Sequence, residues 1–202
     1  MLFRSAHLLH GEPVKCLTAK AREVAADLVV VGTRGSSVLA AMIGSTAERL
    51  VALAQHRVLL VRRPAERAYR KVTIAASEES RLREQLEAAA FVSVKPVTVL
   101  HAYEAPFESA LRSNGASIGA LSSYRKAARR EAELSMGKLL AKAGLKRSQL
   151  VLHHGTPFQV LERFDPESLM VLSRGRSRAR QLLFGSATRA VVAYGRSDVL
   201  LV

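Results

Sequence analysis

The sequence is poor in several features that mark particular protein classes. Among its 202 residues it has one cysteine, Cys16, and no tryptophan. A lone cysteine excludes a disulfide framework and a cysteine-based zinc cluster. The apolar runs, such as residues 28–31 and 58–61, are strand-sized and far shorter than the roughly 18 residues of a membrane span. The N-terminus lacks the basic start and apolar stretch of a signal peptide. These absences predict a soluble, cytoplasmic protein that does not enter a membrane.

Acidic residues are scarce as well. The sequence has 17 Asp and Glu against 31 Lys and Arg, which gives a net charge of +14. Such an excess attracts polyanions, so nucleic acids and acidic proteins are candidate partners. Aromatic residues make up only 5% of the chain, however, and stacking platforms for single-stranded nucleic acid are correspondingly few. A basic, solvated surface is therefore the preferred interpretation of the charge.

An internal repeat organises the chain. Short blocks of the first third recur in the same order near the C-terminus, at offsets between 140 and 144 positions. An ordered set of matches of this kind indicates duplication, and small changes in offset are what loop insertions and deletions produce. The matched blocks are residues 9–13 with 153–157, 27–35 with 168–175, 44–45 with 185–186, and 58–61 with 199–202.

Each copy alternates strands and helices. A strand (residues 6–10 in copy one) leads to a His-Gly-x-Pro turn, and Pro13 or Pro157 then begins a helix, because the first helical position tolerates the missing N–H of proline. A near-continuous apolar strand, a glycine-containing loop, a second helix and a final strand follow. Copy two has additional elements in front: strands at 72–75 and 97–102, and helices at 78–91 and 117–143.

This alternation predicts an α/β fold with a doubly wound parallel sheet. The predicted organisation is a partial first domain at residues 1–64, a linker at 65–68 and a complete five-stranded domain at 69–202. Copy one lacks its first two strands. We therefore expect the segment at residues 6–10 to move beside the strand at 28–31, or a second chain to cover that open strand edge.

A glycine-rich loop and a helix start form the candidate binding site of copy one. Glycines let a ligand approach the backbone closely, and a helix N-terminus offers free N–H groups to a phosphate. Ser45 and Glu48 have the spacing of a capping box. On spacing alone, a turn followed by a capped helix that binds nothing explains the pattern equally well. The candidate nucleotide-binding residues of copy one are Gly32, Thr33, Arg34, Gly35, Gly44, Ser45 and Thr46.

These motifs resemble the signature of the universal stress protein family, which is Gly, two residues, Gly, nine residues, Gly, and then Ser or Thr. The resemblance implies a flavodoxin-like sheet, of the adenine nucleotide alpha hydrolase type, with strand order 3-2-1-4-5. It also implies a role in stress adaptation and, in many members, ATP binding by the glycine loop. The last strands of such domains pair antiparallel. Here this predicts pairing of Val58–Val61 with Val199–Val202, either between the two copies or between two chains.

Both copies depart from that signature. The glycine spacer of copy one is eight residues long, one fewer than in the family pattern. In copy two, Leu172 stands where the first glycine is expected, and Ala75 stands where ATP-binding members carry an aspartate at the end of the first strand. Neither site is complete. The candidate residues of the degenerate second site are Arg174, Gly175, Gly185 and Ser186.

The remaining patterns do not suggest an enzyme. No Ser–His–Asp arrangement, catalytic carboxylate pair or activated cysteine is recognisable, and the six histidines lack the spacing of a metal site. The leading hypothesis is a non-catalytic universal-stress-type protein with a weakened nucleotide site, for which ATP or another adenine nucleotide is the candidate ligand. The alternatives are a genuine ATP-binding member of the family and a basic module that binds nucleic acid.

Overall fold

A seven-stranded sheet with helices on both faces forms the centre of the computed structural model. The structure describes residues 5–33, 45–62, 64, 68–69, 71–76, 79–93, 96–162, 167–174, 191–192 and 195–202. The strands are β1 (Leu28–Gly32), β2 (Arg57–Val61), β3 (Lys71–Ala75), β4 (Val97–Tyr103), β5 (Leu150–His154), β6 (Ser168–Leu172) and β7 (Asp198–Leu201). The helices are α1 (Pro13–Glu23), α2 (Ser45–Leu53), α3 (Glu79–Val92), α4 (Glu108–Ser113), α5 (Ile118–Lys142) and α6 (Pro157–Glu162), with a 3-10 turn at Arg147–Gln149.

The five strands of copy two have the order that the family resemblance implies. They stand side by side as β5-β4-β3-β6-β7, and every neighbouring pair is parallel. Numbered within the copy, this order is 3-2-1-4-5. The crossovers α3 and α6 connect parallel strands, as a parallel sheet requires. The predicted α/β, flavodoxin-like fold is confirmed.

Copy one extends the same sheet. Its strands β1 and β2 are parallel to each other, and β2 pairs antiparallel with β7, with Leu59 opposite Leu200. The two copies are thus joined through their last strands within one chain, and copy one runs in the opposite direction to copy two. The full strand order is β1-β2-β7-β6-β3-β4-β5.

The strand registers fix how the two copies correspond. Leu28 lies opposite Arg57, and Leu169 lies opposite Asp198, so that both strands of the pair repeat at an offset of 141 positions. The hydrogen bonds beyond the strands follow the same rule. The amide of Thr33 donates to Val61 O at 3.0 Å, and the amide of Arg174 donates to Val202 O at 2.8 Å.

This register corrects one detail of the sequence alignment. At an offset of 141, Leu172 corresponds to Val31, and Ser173 occupies the position of Gly32. Leu172 is 3% exposed and packs in the core, so it does not narrow the loop. The loops that follow are therefore equally long up to Gly44 and Gly185, and the first loop glycine of copy two, Gly175, comes one position earlier than Gly35 does in copy one. Without the register, aligning the loop glycines shifts the strand by one position.

The helix ends follow from local chemistry. Ser117 caps α5, as its hydroxyl accepts a hydrogen bond from the amide of Ala120 at 3.2 Å. Gly144, with a φ of +71°, ends the helix as predicted. Helix α1 stops at Glu23, because Ala25 adopts a left-handed φ of +48°. The short helix α4 was not predicted from the sequence.

The prediction of a strand at residues 6–10 is wrong. Ser5–His10 forms no strand, and all six of its residues are exposed. Its counterpart β5 is held by pairing with β4, and the described part of copy one has no strand equivalent to β4. The segment does not move beside β1 either, because β1 pairs with β2 alone among the described residues.

Two apolar layers hold the helices on the sheet. On one face, α1, α2 and α6 pack over the sheet through residues such as Val14, Leu50 and Leu161. On the other face, α3 and α5 pack through residues such as Leu82 and Leu140. Both copies contribute to the first layer, whereas the helices of the second layer come from copy two.

Candidate functional site

The antiparallel pairing of β2 with β7 puts the two candidate sites on opposite sides of the sheet, each at the carboxyl ends of the strands of its own copy. In this subsection, the edge of a copy means the side of the sheet where its strands have their carboxyl ends. In open α/β sheets, ligands bind beyond the carboxyl ends of the parallel strands. For copy one this edge lies beyond Gly32 and Val61, and for copy two it lies beyond Ala75 and Leu172. Each site therefore has to be considered by itself.

The edge of copy one retains an accessible glycine. A side chain built on Gly32 would meet nothing within 4 Å, so the backbone there is open to a ligand. Thr33 is 6% exposed, and its hydroxyl points to Val61 O at 3.4 Å, so its side chain has a structural partner. Ser45 begins α2 as predicted, and Thr46 is exposed in the first turn. The other candidates of this site, Arg34, Gly35 and Gly44, and the side chain of Ser45, lie outside the described residues.

The edge of copy two is lined differently. Ala75 ends β3, and its carbonyl accepts a hydrogen bond at 3.0 Å from Nε2 of Gln85, which is buried on α3. The same amide nitrogen donates to Val171 O at 3.2 Å, so the Gln85 side chain links β3 to β6. The next strand is linked by His101, whose Nδ1 lies 2.9 Å from Ala76 O. These contacts fix the carboxyl ends of β3, β4 and β6. Because residue 75 is alanine, no carboxylate stands at the end of β3.

Arg174 has a structural role at this edge. Its guanidinium donates to Ala54 O through Nη1 and to His56 O through Nη2, and both carbonyls belong to the turn between α2 and β2 of copy one. Its own carbonyl accepts a hydrogen bond from Arg81 of α3. Burial lowers the pKa of Arg174, and nearby Glu84 opposes this shift. The other candidates of this site, Gly175, Gly185 and Ser186, lie outside the described residues.

A second polar network connects the copies at the opposite end of the β2–β7 pair. Asp198 accepts a hydrogen bond from the amide of Arg62 at 2.7 Å and one from the hydroxyl of Tyr69 at 2.8 Å. The Arg62 guanidinium donates to Val191 O at 3.0 Å and to Val192 O at 2.5 Å. Burial, followed by the hydrogen bond to Asp198, raises the pKa of Tyr69. At each end of the β2–β7 pair, an arginine of one copy thus donates hydrogen bonds to backbone carbonyls of the other copy.

Sequence reasoning missed a cluster of charges centred on Glu108, near the ends of β4 and β5. This carboxylate accepts hydrogen bonds from Arg125 and, at 2.8 Å, from Arg112. His154 Nε2 lies 3.2 Å from its second oxygen. The hydrogen bond from Arg125 lowers the pKa of Glu108 to about 2 despite the opposing effect of burial. These residues are far apart in sequence, so only the fold brings them together.

Basic side chains also line part of α5. Lys126, Arg130 and Lys138 are exposed and lie four or eight positions apart, so they share one side of the helix. The neighbouring Arg129 forms an ion pair with Glu133 at 3.2 Å. The exposure of these side chains agrees with the interpretation of the excess positive charge as a basic, solvated surface.

Within the described ranges, no group of three or more His, Cys, Asp and Glu side chains could hold a metal ion. No helix in the described part of the chain is both long and apolar enough to cross a membrane.

Comparison with known proteins identifies the family. A sequence model described as the universal stress protein family matches residues 3–62 and again residues 68–202. The chain belongs to the universal stress protein family. Its two matched segments correspond to the two copies in the sheet. A comparison with curated proteins returns no significant match.

Solved structures of universal stress proteins have the same fold. A protein from Pseudomonas aeruginosa UCBPP-PA14, assigned to this family, superposes with a TM-score of 0.64 at 16% identity, over 96% of this chain and 69% of that one. A universal stress protein from Archaeoglobus fulgidus DSM 4304 gives a TM-score of 0.62 at 17% identity, over 95% of this chain and 66% of that one. The universal stress protein described here thus spans about two thirds of the length of each structure.

Proposed function

We propose that this universal stress protein acts in stress adaptation in the cytoplasm as a non-catalytic binding protein whose nucleotide site is weakened. The observation that carries the proposal is the engagement of Arg174. A guanidinium in the signature loop would be expected to face a phosphate, and here it donates to the carbonyls of Ala54 and His56. Using it for a ligand would leave two carbonyl groups without their partners, at a cost in stability.

The end of β3 supports the same conclusion. ATP-binding members carry an aspartate at the position of Ala75, and the methyl group of alanine can accept no hydrogen bond from a nucleotide. The carbonyl of Ala75 is already bonded to Gln85. In the described residues of copy two, position 75 therefore has no carboxylate and Arg174 is engaged by backbone carbonyls, while copy one keeps an accessible Gly32.

An ATP-binding function at copy one is the first alternative. Gly32, with Arg34, Gly35, Gly44, Ser45 and Thr46, would hold the phosphates at the start of α2. Copy one lacks counterparts of β3 and β4 in its described part, however, and these strands would line the remainder of a nucleotide pocket. At this edge we expect at most capture of the phosphate groups.

Polyanion binding is the second alternative, and the row of Lys126, Arg130 and Lys138 on α5 favours it. Cations spaced along one side of a helix can follow a phosphate backbone. Binding of RNA or DNA would then fall steeply with salt, and replacing the three residues with glutamine would reduce that salt dependence.

Calorimetric titration of the full chain with ATP and with AMP at fixed salt tests the proposal. We expect weak or undetectable heat from the parent protein and no ATP hydrolysis. Ala75→Asp should strengthen ATP binding if the lost carboxylate weakens the site. Ala102→Asp, near the end of the adjacent strand β4, is the matched control and should have no effect. Tight ATP binding by the parent, or equal effects of both substitutions, would contradict the proposal.

The copy that binds is tested separately. Gly35→Val with Gly44→Val should abolish any binding that remains at copy one, because bulkier residues close the approach to the backbone. The corresponding control is Gly175→Val with Gly185→Val in copy two. If only the control pair destroys binding, the assignment of the remaining nucleotide capture to copy one is wrong.

A further inference from the structure

On the sheet face that α3 and α5 cover in copy two, Val30 of β1 is exposed in the described part of the structure. Side chains alternate between faces along a strand, so Leu28 and Val30 of β1 share this face. On β2, Leu59 and Val61 lie on the same side, as their packing against the α3 and α5 layer shows. We call Leu28 and Val30 the bare strip; Leu28 is partly buried against that layer, and Val30 is the exposed residue of the strip. Val30 is 59% exposed within a strand of five apolar or glycine residues.

The second copy shows what covers the equivalent strip. By the strand register, Leu28 corresponds to Leu169 and Val30 to Val171. Leu169 and Val171 are both 0% exposed, because α3 packs over them through residues such as Leu82. The position of Val171 is therefore buried in copy two, whereas the corresponding Val30 is exposed in copy one and Leu28 is partly buried. What differs is the strand–helix unit β3–α3.

The outer edge of β1 is open in a corresponding way. In copy two, β6 pairs with β7 on one side and with β3 on the other. Among the described residues, β1 pairs with β2 alone. Open edges are commonly protected by charged residues or proline, and Leu28–Gly32 contains neither. By the register, a strand equivalent to β3 would run parallel to residues 27–30.

The bare strip is continuous with an existing helix–sheet interface. Leu59, 9% exposed, belongs to the same buried cluster as Leu82 of α3. Beside it, Phe91 near the end of α3 is 54% exposed, and the guanidinium of Arg57 lies 5.8 Å from its ring centre. A helix placed over the strip would therefore contact the side of α3 as well as the sheet.

We propose that the β1 edge and the bare strip together bind a strand–helix unit of another polypeptide. Its strand adds in parallel to β1 and is apolar on both faces, as Val72, Thr73 and Ile74 are buried on β3. The helix that follows places its apolar side on Leu28 and Val30, as α3 does on β6. Backbone hydrogen bonds along the edge supply affinity, and burial of the strip supplies specificity.

The test uses the full chain and a labelled synthetic peptide with the sequence of residues 69–93, which is the β3–α3 unit. We expect saturable binding in fluorescence anisotropy. Val30→Lys should weaken binding by about tenfold or more, because docking would bury an unpaired charge. Leu134→Lys, at an α5 residue that is 53% exposed, is the matched control and should bind like the parent.

Hydrogen exchange keeps the test decisive if a variant folds poorly. In the parent, the amides of residues 28–32 should exchange more slowly when the peptide is present. Absence of binding, or equal binding by Val30→Lys and the parent, would overturn the proposal. A parent dimer that Val30→Lys converts to a monomer, without peptide binding, would show that a second copy of this chain occupies the edge instead.

Discussion

Arg174 provides the sharpest test of how the two copies are held together. Replacement by methionine keeps most of the apolar stem and removes the guanidinium. The carbonyls of Ala54 and His56 then lose their donors. Hydrogen bonds from a charged donor contribute about 1.5–3 kcal/mol each, so the gross loss is about 3–6 kcal/mol. Removing a half-buried charge returns part of this, because its desolvation cost disappears.

We therefore expect Arg174→Met to lower the free energy of unfolding by about 2–3 kcal/mol. Urea unfolding followed by circular dichroism measures the change. The control is Arg129→Met, because Arg129 is exposed and forms a surface ion pair with Glu133. This control should change stability by no more than about 0.5 kcal/mol.

The same variant separates a structural role from a ligand-binding role. If the guanidinium binds phosphate, Arg174→Met would weaken ATP binding and leave the free energy of unfolding near that of the parent. An unfolding free energy within about 0.5 kcal/mol of the parent would refute the structural argument. A large loss of stability in Arg129→Met would show that the difference does not arise from the junction.

Two further predictions concern packing and pH. Val171→Ala should lower the free energy of unfolding by about 2–3 kcal/mol, since Val171 is 0% exposed. Val30→Ala should change it by less than about 0.5 kcal/mol, because Val30 is exposed. Equal effects of the two variants in urea unfolding would contradict the exposure of Val30 in the bare strip. The second concerns Glu108, whose pKa falls from 4.5 to about 2 on folding. Its stabilising contribution is present above pH 4.5 and is lost as the pH falls towards 2. Urea unfolding should show Glu108→Gln less stable than the parent near neutral pH, with a difference that shrinks in acid; a difference that does not depend on pH would refute the carboxylate's role.

The sequence predicted the elements that depend on local pattern. Apolar runs gave the buried strands, and Pro13, Ser117 and Gly144 marked helix ends, because these signals lie within a few residues of the element itself. The segment at residues 6–10 was mispredicted as a strand. Its pattern is suitable for a strand, but a strand forms only where a neighbour completes its hydrogen bonds.

The candidate site was less predictable, because its decisive contacts join distant parts of the chain. Nothing in the residues around Arg174 indicates that its guanidinium reaches Ala54, 120 positions earlier. The one-residue shift at Leu172 was hidden for a similar reason. Matching glycines align loops, whereas the correspondence of strands is set by hydrogen bonding to their neighbours. The cluster around Glu108 likewise requires α4, α5 and β5 to be in place.

The inverted pairing of β2 with β7 makes the carboxyl ends of the strands of the two copies face opposite directions. Strands of about five residues separate the two carboxyl edges by about 17 Å. A molecule bound beyond Gly32 and another bound beyond Ala75 would face away from each other on opposite sides of one rigid sheet. Neither could exclude the other by direct contact. Binding of a molecule at one carboxyl edge would then leave the affinity of the other edge unchanged. One chain could bind two different molecules at the same time and hold them at a fixed distance and orientation.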